Sequence, residues 1–551
     1  MYSADYYQFY YAKCYSVVIL TFLFPIICGS NNANNLFDKW TLDIKNSPQC
    51  WYFKDFEADS VPGASLTRAY EWLQSQQKQE VVVVGLLDSK VAIKSKYLQH
   101  HIWKNPNEIA NNGIDDDHNG YIDDINGWNF LGNNKGYNII HSRYEGVRLR
   151  NAFENGEIDL DSSLYAKIKS WHEAKLEDAK DRFEYADSIH SDYLLAKDMI
   201  GHYFPNGNYD KETLNTIDTL GKKKLSKHVK FIDESITYGF NDSLSFVVYE
   251  GIRDIYKKCY NIEFDERVIL NENSYDSSNL SYGNKEVANY LDKYTHGSRM
   301  ASTISLALCP VPSTYQPNIE IMPVNISPHG DEHDKDIYAG IKYAVDNGAR
   351  VINMSFGKEF SMHFDWVIEA FRYARRHGVL IVSSAGNGRL NLEKENNYYP
   401  NDNLDNGKEL TDNFILVGNS TAQIGKHLKS KYSNYGKSDV DLFAPGTDFK
   451  TLYPNNDIRD DNGTSLSAGI VSHIAALIFS HYPDLTPTQV KQILMNSVTK
   501  YDVDVEIKEK NEKGEKITKM IPFSQLSKSG GIVNAYNALL LAEKVSKGKE
   551  K

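Results

Sequence analysis

From residue 319 to residue 443 the chain alternates short apolar runs with helical patterns, and this rhythm restricts the fold more than any other feature. Residues 319–324, 351–354, 379–382, 414–417 and 440–443 read as strands, with Val, Ile, Leu and Phe prominent. Such runs suit strands covered on both faces, as in a parallel sheet. Between them, 336–347 carries Ile337, Ile341 and Ala344 on one helical side and is closed by Gly348, while 363–376 reads as a second helix ended by Gly378. Upstream, Val81 to Asp88 is a further buried strand and 67–75 a short helix. The alternation predicts an α/β fold, a mainly parallel sheet with helices on both faces. In such sheets the polar residues just past the carboxyl ends of strands form the site. Asp88 and Asn387 fall there.

The densest local signal is Asn462-Gly463-Thr464-Ser465-Leu466-Ser467-Ala468-Gly469, which runs into Ile470, Val471, Ile474, Leu477 and Ile478 at helical spacing. A small polar turn opening a buried helix sets Ser465 at or beside the first turn, where free backbone N–H groups favour developing negative charge. Taken alone, Ser465 reads better as an N-cap. Three further pieces accompany it: Asp88, His296 in Thr295-His296-Gly297-Ser298, and Asn387 in Ser384-Ala385-Gly386-Asn387-Gly388. A serine hydroxyl becomes a useful nucleophile when an imidazole takes its proton. The imidazole in turn needs a carboxylate to fix its tautomer. A side-chain amide on a glycine-flanked loop can stabilise the oxyanion. One candidate stands in the sequence for each role.

With these motifs in place the chain resembles the subtilisin-like serine proteases, the subtilase family. The order Asp88, His296, Ser465 is the subtilisin order. The matching segments are LLDS at Asp88, HGSRMAS at His296, SSAGN ending in Asn387 and NGTSLSA at Ser465. NMSFG at 353–357, SNYG and DLFAPG within 433–446 and SGGIVNAYNAL at 529–539 resemble further family segments. The resemblance implies a three-layer subtilisin-like fold and an exported endopeptidase acting through an acyl-enzyme, with no cofactor for catalysis. It implies Ser465 as nucleophile, His296 as base then acid, Asp88 as its orienting carboxylate, and Asn387 as oxyanion donor. Ser355, Phe356 and Gly357, with Ser384, Ala385 and Gly386, would bind an extended protein or peptide substrate. A fold that keeps this groove with weak or no turnover, as a peptide-binding or scaffolding module, is the alternative. An esterase of the α/β-hydrolase kind is disfavoured, because its triad order and its G-x-S-x-G elbow differ from Gly463-Thr464-Ser465-Leu466-Ser467.

Four positions depart from the family pattern. Lys90 and Ser302 replace glycines, Arg299 replaces the second His of HGTH, and Gly469 replaces a proline after the nucleophile. Lys90 and Arg299 are expected to bring long cations near the site, altering the pKa of His296, narrowing the cleft or favouring acidic substrate residues.

The other dense motif is the acidic run from Asn112 to Asp124. Counting from Asp115, the residues Asp117, Asn119, Gly120 and Asp123 follow the start of a calcium loop, although Asn126 stands where a bidentate Glu closes an EF-hand. Similar segments, leading to a Gly-Trp-Asn-Phe sequence like Gly127 to Phe130, occur in bacterial members of the resembled family. Asp115, Asp117, Asn119, Tyr121, Asp123 and Asp124 are therefore candidate ligands of a structural calcium ion. A solvated acidic turn ended by Trp128 packing is the other reading.

The 551 residues have room for a catalytic domain over 80–130 and 291–543, a lead-in or short pro-segment over 31–79, a largely helical insertion over 131–290 and a polar tail over 544–551. A formal net charge of -12 and the lack of a basic stripe argue against nucleic acid as a partner. Lys13 and the apolar run 17–27 read as a signal peptide within residues 1–30, cleaved after Ser30 or lipidated at Cys28. Export to the medium, periplasm or cell envelope follows, and no other run is long and apolar enough to span a bilayer. The five cysteines show no paired framework and no metal-ligand spacing.

Overall fold

The computed structural model describes residues 48–548, apart from 77–78, 271, 274, 310–314, 395–397, 406–407 and 511–514. The expected signal segment with Cys28 and Ser30 lies outside the described residues. Two compact units are present, one formed by 32–145 and 265–551 and the other containing 146–264.

In the larger unit the apolar runs become the strands β1 (Val82–Asp88), β2 (Trp128–Asn129), β3 (Ile319–Asn325), β4 (Ala349–Met354), β5 (Leu380–Ser384), β6 (Phe414–Ser420), β7 (Leu442–Pro445), β8 (Thr499–Lys500) and β9 (Gly531–Ile532). They form one sheet in the order β8-β9-β7-β6-β5-β4-β1-β3-β2. Every pairing is parallel except that of β8 with β9. Flanking it are α1 (Leu66–Leu73), α2 (His296–Ser305), α3 (Asp334–Asp346), α4 (Phe364–Arg376), α5 (Thr464–His481), α6 (Pro487–Asn496) and α7 (Ala535–Ser546). Because successive side chains of a strand point to opposite faces, the central strands feed two cores. Ile415 and Val417 of β6 join a core with α1, α2, α5, α6 and α7, whereas Phe414 and Leu416 join one with α3 and α4. This is the expected three-layer α/β arrangement.

Helix α5 carries the Ser465 motif through the first core. Ile470, Val471, Ile474, Leu477 and Ile478 are fully buried, each stabilising the fold by about 1.5–3 kcal/mol as an upper estimate. A helix apolar on all sides belongs in the interior of a large domain. Length and composition would allow α5 to cross a bilayer, but it is buried inside the protein.

Among the polar residues on this helix, one imidazole is buried at its middle. His473 is fully buried, its Nδ1 donating to the Ile304 carbonyl of α2 at 2.7 Å and its Nε2 accepting from the Tyr70 hydroxyl of α1 at 2.6 Å. Accepting at Nε2 requires the neutral imidazole, and burial pushes its pKa down to about 4. Below pH 6.5 the unfolded chain takes up this proton while the folded chain resists it until about pH 4. Stability from this site is therefore complete above pH 6.5 and is lost as pH falls through that window, by about 3 kcal/mol. Urea denaturation from pH 6.5 to 4 is expected to show an acid loss of that size in the native chain and a flatter profile in His473→Gln. Parallel profiles would contradict it.

The lead-in is part of the core from residue 48 onward. Trp51, Tyr52 and Phe53 are buried, Tyr52 stacks on Phe449 at 4.0 Å, and Trp51 Nε1 donates to the Thr447 carbonyl at 2.8 Å. Cys50 and Cys309 form a disulfide with a Cα–Cα separation of 6.5 Å. This corrects the expectation of no cysteine pairing: the partners are 259 residues apart and meet only because the lead-in folds against the segment after α2.

The smaller unit is helical, as its composition predicts, but narrower than the expected 131–290. It contains the helices Ser162–Gly201, Lys223–Thr237 and Asp242–Asp254, with a core that includes Tyr193, Ala196, Ile200, Leu225 and Ile232. The helix Asp242–Asp254 is continued by one π turn, Ile255–Cys259. Residues 131–145 and 265–290 belong to the larger unit.

Candidate active site

Asp88 ends β1, beside Asn325 at the end of β3. Its carboxylate is 2% exposed and lies 2.9 and 2.8 Å from His296 Nδ1, while Oδ1 also accepts the Ser89 N–H at 2.6 Å. His296 opens α2, and a close fit holds that helix end in place. A Cβ on Gly297 would fall 2.2 Å from the Ser89 carbonyl oxygen, and the Gly297 N–H donates to Ser89 Oγ at 2.9 Å. With Nδ1 fixed on the acid, Nε2 lies on the opposite edge of the ring. The His296 side chain is 32% exposed, so that edge is accessible.

Ser465 is the second residue of α5, in the turn where backbone N–H groups lack intrahelical partners. Its Oγ donates to the Ser355 carbonyl at 3.3 Å rather than to His296. Ser355 Oγ bonds Asn353 Oδ1 at 2.9 Å, and Asn353 Nδ2 bonds Ser472 Oγ of α5 at 3.0 Å. This network ties the segment Ser355–Gly357 after β4 to the serine helix. Gly469 faces α2: a Cβ there would lie 2.9 Å from Thr303 Cγ2, so the helices bearing Ser465 and His296 cross closely at this residue. The departure from the family's proline has its reason in that contact.

Asn387 sits on the exposed loop after β5. Its Oδ1 accepts from the Thr464 N–H at 3.0 Å and from Thr464 Oγ1 at 3.2 Å. A backbone N–H can only donate, so this contact fixes the amide orientation and leaves Nδ2 as the outward donor. Gly386, at φ +92°, donates its N–H to Thr464 Oγ1 at 3.1 Å. Asn434 closes the loop from behind, with Nδ2 on the Ala385 carbonyl at 2.7 Å and Oδ1 on the Leu390 N–H at 2.8 Å. Ser384 and Ala385 are buried beneath. Thr464 was not singled out from the sequence, although it stands beside the nucleophile candidate. Tyr398 was also missed; its hydroxyl donates to the Ser384 carbonyl at 2.7 Å.

The two expected cations are both engaged by partners within the fold. Lys90 is buried, with Nζ on Asn138 Oδ1 at 3.1 Å and on the Glu286 carbonyl, and burial pushes its pKa down to about 7. Arg299 Nε pairs with Asp461 Oδ2 at 2.6 Å, and its guanidinium lies over the Tyr453 ring. Both belong to the strand pair Phe449–Tyr453 and Asp457–Asp461. Ser302 Oγ accepts the Leu452 N–H from the same pair at 3.0 Å. Both cations are thus taken up by partners within the fold, and Arg299 also lies within electrostatic reach of Asp88.

The acidic loop brings together a smaller set than expected. Glu108, Asp115 and Asp117 have carboxylate oxygens within 4.8 Å of one another. Asn119 adjoins them, with Nδ2 on Asp117 Oδ2 at 3.2 Å. Asp123 faces away, paired with Lys285 at 2.9 Å. Asp124 is held by the Tyr343 hydroxyl at 2.6 Å and Asn105 Nδ2 at 2.8 Å. The Tyr121 ring packs on Trp128 and Tyr343. Glu108 was missed because it precedes the loop that carries the spacing.

The profile of the subtilase family (Peptidase S8) matches residues 79–515. Subtilisin DY of Bacillus licheniformis is 29% identical over 207 residues, covering 37% of this chain and 70% of that protein. Subtilisin-like protease 1 of Plasmodium falciparum (isolate 3D7) is 29% identical over 301 residues, covering 50% of this chain but 40% of that protein. The cell wall-associated protease of Bacillus subtilis (strain 168) is 29% identical over 209 residues, 37% of this chain and 21% of that protein. Most of the length of the last two lies outside the match. Among solved structures, a lanthipeptide protease aligns with 24% identity and a TM-score of 0.34, covering 45% of this chain and 75% of that chain. The profile match takes in the acid at the end of β1, the histidine of α2, the amide loop after β5 and the serine of α5, and on that extent the chain belongs to the subtilase family of serine proteases.

Proposed function

We propose that the chain is an exported serine endopeptidase. The observation that carries this reading is a pair of prepared groups: an imidazole whose Nδ1 is held by a buried carboxylate, and an amide whose oxygen is tied to the residue before Ser465 so that its nitrogen is left to donate. Rotation of Ser465 about χ1 releases its hydroxyl from the Ser355 carbonyl. His296 Nε2 then takes the proton as Oγ attacks the scissile carbonyl. Asp88 stabilises the imidazolium. Asn387 Nδ2 and the Ser465 N–H receive the oxyanion. The imidazolium protonates the leaving amine, and water repeats the sequence on the acyl-enzyme. Ser355–Gly357 pairs with the substrate backbone, setting the register of the peptide.

The bond from Ser465 to the Ser355 carbonyl favours a second reading, a peptide-binding module with weak or no turnover. A fluorophosphonate probe separates the two, since it modifies only an activated serine. Export is supported by the apolar run near the N-terminus and by the Cys50–Cys309 disulfide, a bond typical of oxidising compartments. Expression of the full sequence in a bacterial host, followed by labelling of cell fractions, tests both points. The labelled band is expected in the envelope or medium and absent with Ser465→Ala. Failure to label under any pH or calcium condition favours the module, and a cytosolic band contradicts export.

The acidic loop is proposed as a structural calcium site, with Glu108 in place of Asp123 among the ligands. Three clustered carboxylates supply the hard oxygen donors that calcium prefers. The bound ion would offset their mutual repulsion and hold the loop in shape. Excess chelator is expected to lower the melting temperature by several degrees, and Glu108→Gln to reduce that sensitivity. An unchanged melting curve would remove the site.

A further inference from the structure

The segments Ser355–Gly357 and Ser384–Asn387 flank Ser465, and their geometry says which residue a substrate can place there. This inference rests on the peptide-groove reading given above. When a scissile carbonyl carbon is at Ser465 Oγ and its oxygen at Asn387 Nδ2, the α-carbon on the acyl side lies between the two segments. Side chains of an extended peptide alternate in direction, so the one nearest the scissile bond points into the slot between Gly357 and Gly386.

That slot has a floor. The phenol of Tyr398 lies against both glycines: a Cβ on Gly357 would fall 2.3 Å from its Oη, and one on Gly386 2.7 Å from its Cε2. Its hydroxyl donates to the Ser384 carbonyl at 2.7 Å. The next residue pins it, since Tyr399 and Lys358 exchange backbone hydrogen bonds at 2.8 and 2.9 Å. Swinging the ring aside would break its hydroxyl bond and lift it off both glycines. Part of its surface remains open to solvent, as a pocket floor requires.

We propose that Tyr398 is a specificity-determining residue that closes the acyl-side pocket to a shallow slot, selecting Gly, Ala or Ser before the scissile bond and excluding aromatic and branched side chains.

The test uses binding as well as turnover. In the full-length Ser465→Ala protein, calorimetry compares pentapeptide acids ending in Ala or Phe. The Ala peptide is expected to bind roughly 10 to 100 times more tightly. Adding Tyr398→Ala is expected to erase or reverse that order, whereas Tyr398→Phe keeps the ring and the preference. Equal or tighter binding of the Phe peptide, no binding of either, or unchanged selectivity in a folded Tyr398→Ala protein overturns the proposal. If that variant does not fold, the order with Tyr398 present still decides. Turnover of matched fluorogenic peptides by the native chain runs alongside. Selectivity without turnover ends the peptidase reading alone, and turnover without preference ends this one alone.

Discussion

Replacing Ser465 by Ala is expected to lower kcat on a fluorogenic peptide by roughly a million-fold, with His296→Ala causing a similar loss and the double variant almost no more. In the proposed mechanism the two residues act as one device: without the imidazole the hydroxyl keeps its proton, and without the hydroxyl the imidazole has nothing to activate. Asp88→Asn should cost roughly 10,000-fold, since the amide leaves the ring unheld in its working tautomer while the geometry survives. Steady-state kinetics together with melting curves checks this, because all these variants should remain folded. Losses that multiply in the double variant would mean that Ser465 and His296 work independently, and the triad assignment would then be wrong.

Asn387→Ala is expected to reduce kcat by roughly 100- to 1,000-fold, about 3–4 kcal/mol of transition-state stabilisation, with KM little changed. The amide is aimed before substrate arrives, because Thr464 holds Oδ1 through both its N–H and its hydroxyl. Its benefit arises when the carbonyl oxygen gains charge, so the loss belongs in kcat. A rise in KM at constant kcat would show instead that Asn387 binds the ground state, and the oxyanion role would fall.

Much of the fold was legible because it is written locally. The runs at 351–354 and 414–417 lie inside β4 and β6, and the glycines after two helices end them, Gly348 at φ +85° and Gly378 at φ +74°. Asp88 and Asn387 were readable for the same reason, since the carboxyl end of a parallel strand is a predictable place for polar chemistry. The missed residues all act at a distance. Tyr398 has no motif, and it matters only because its segment folds back under Gly357 and Gly386. Glu108 enters the acidic cluster by accepting backbone N–H groups of Asp116 and Asp117 from outside the spacing that marks the loop.

By itself the sequence determined which chemical groups this protein carries, their order, and the layered scaffold that presents them, because turns and apolar periodicity are set by neighbours along the chain. Only the tertiary structure decided where the long side chains go. Lys90 and Arg299 look like cleft residues in sequence, yet one is buried against Asn138 and the Glu286 carbonyl and the other is paired with Asp461. Cys50 likewise finds Cys309 across 259 residues. Such partners are chosen by the packing of distant segments, where burial makes an unpaired charge or donor costly, and no local pattern records that choice.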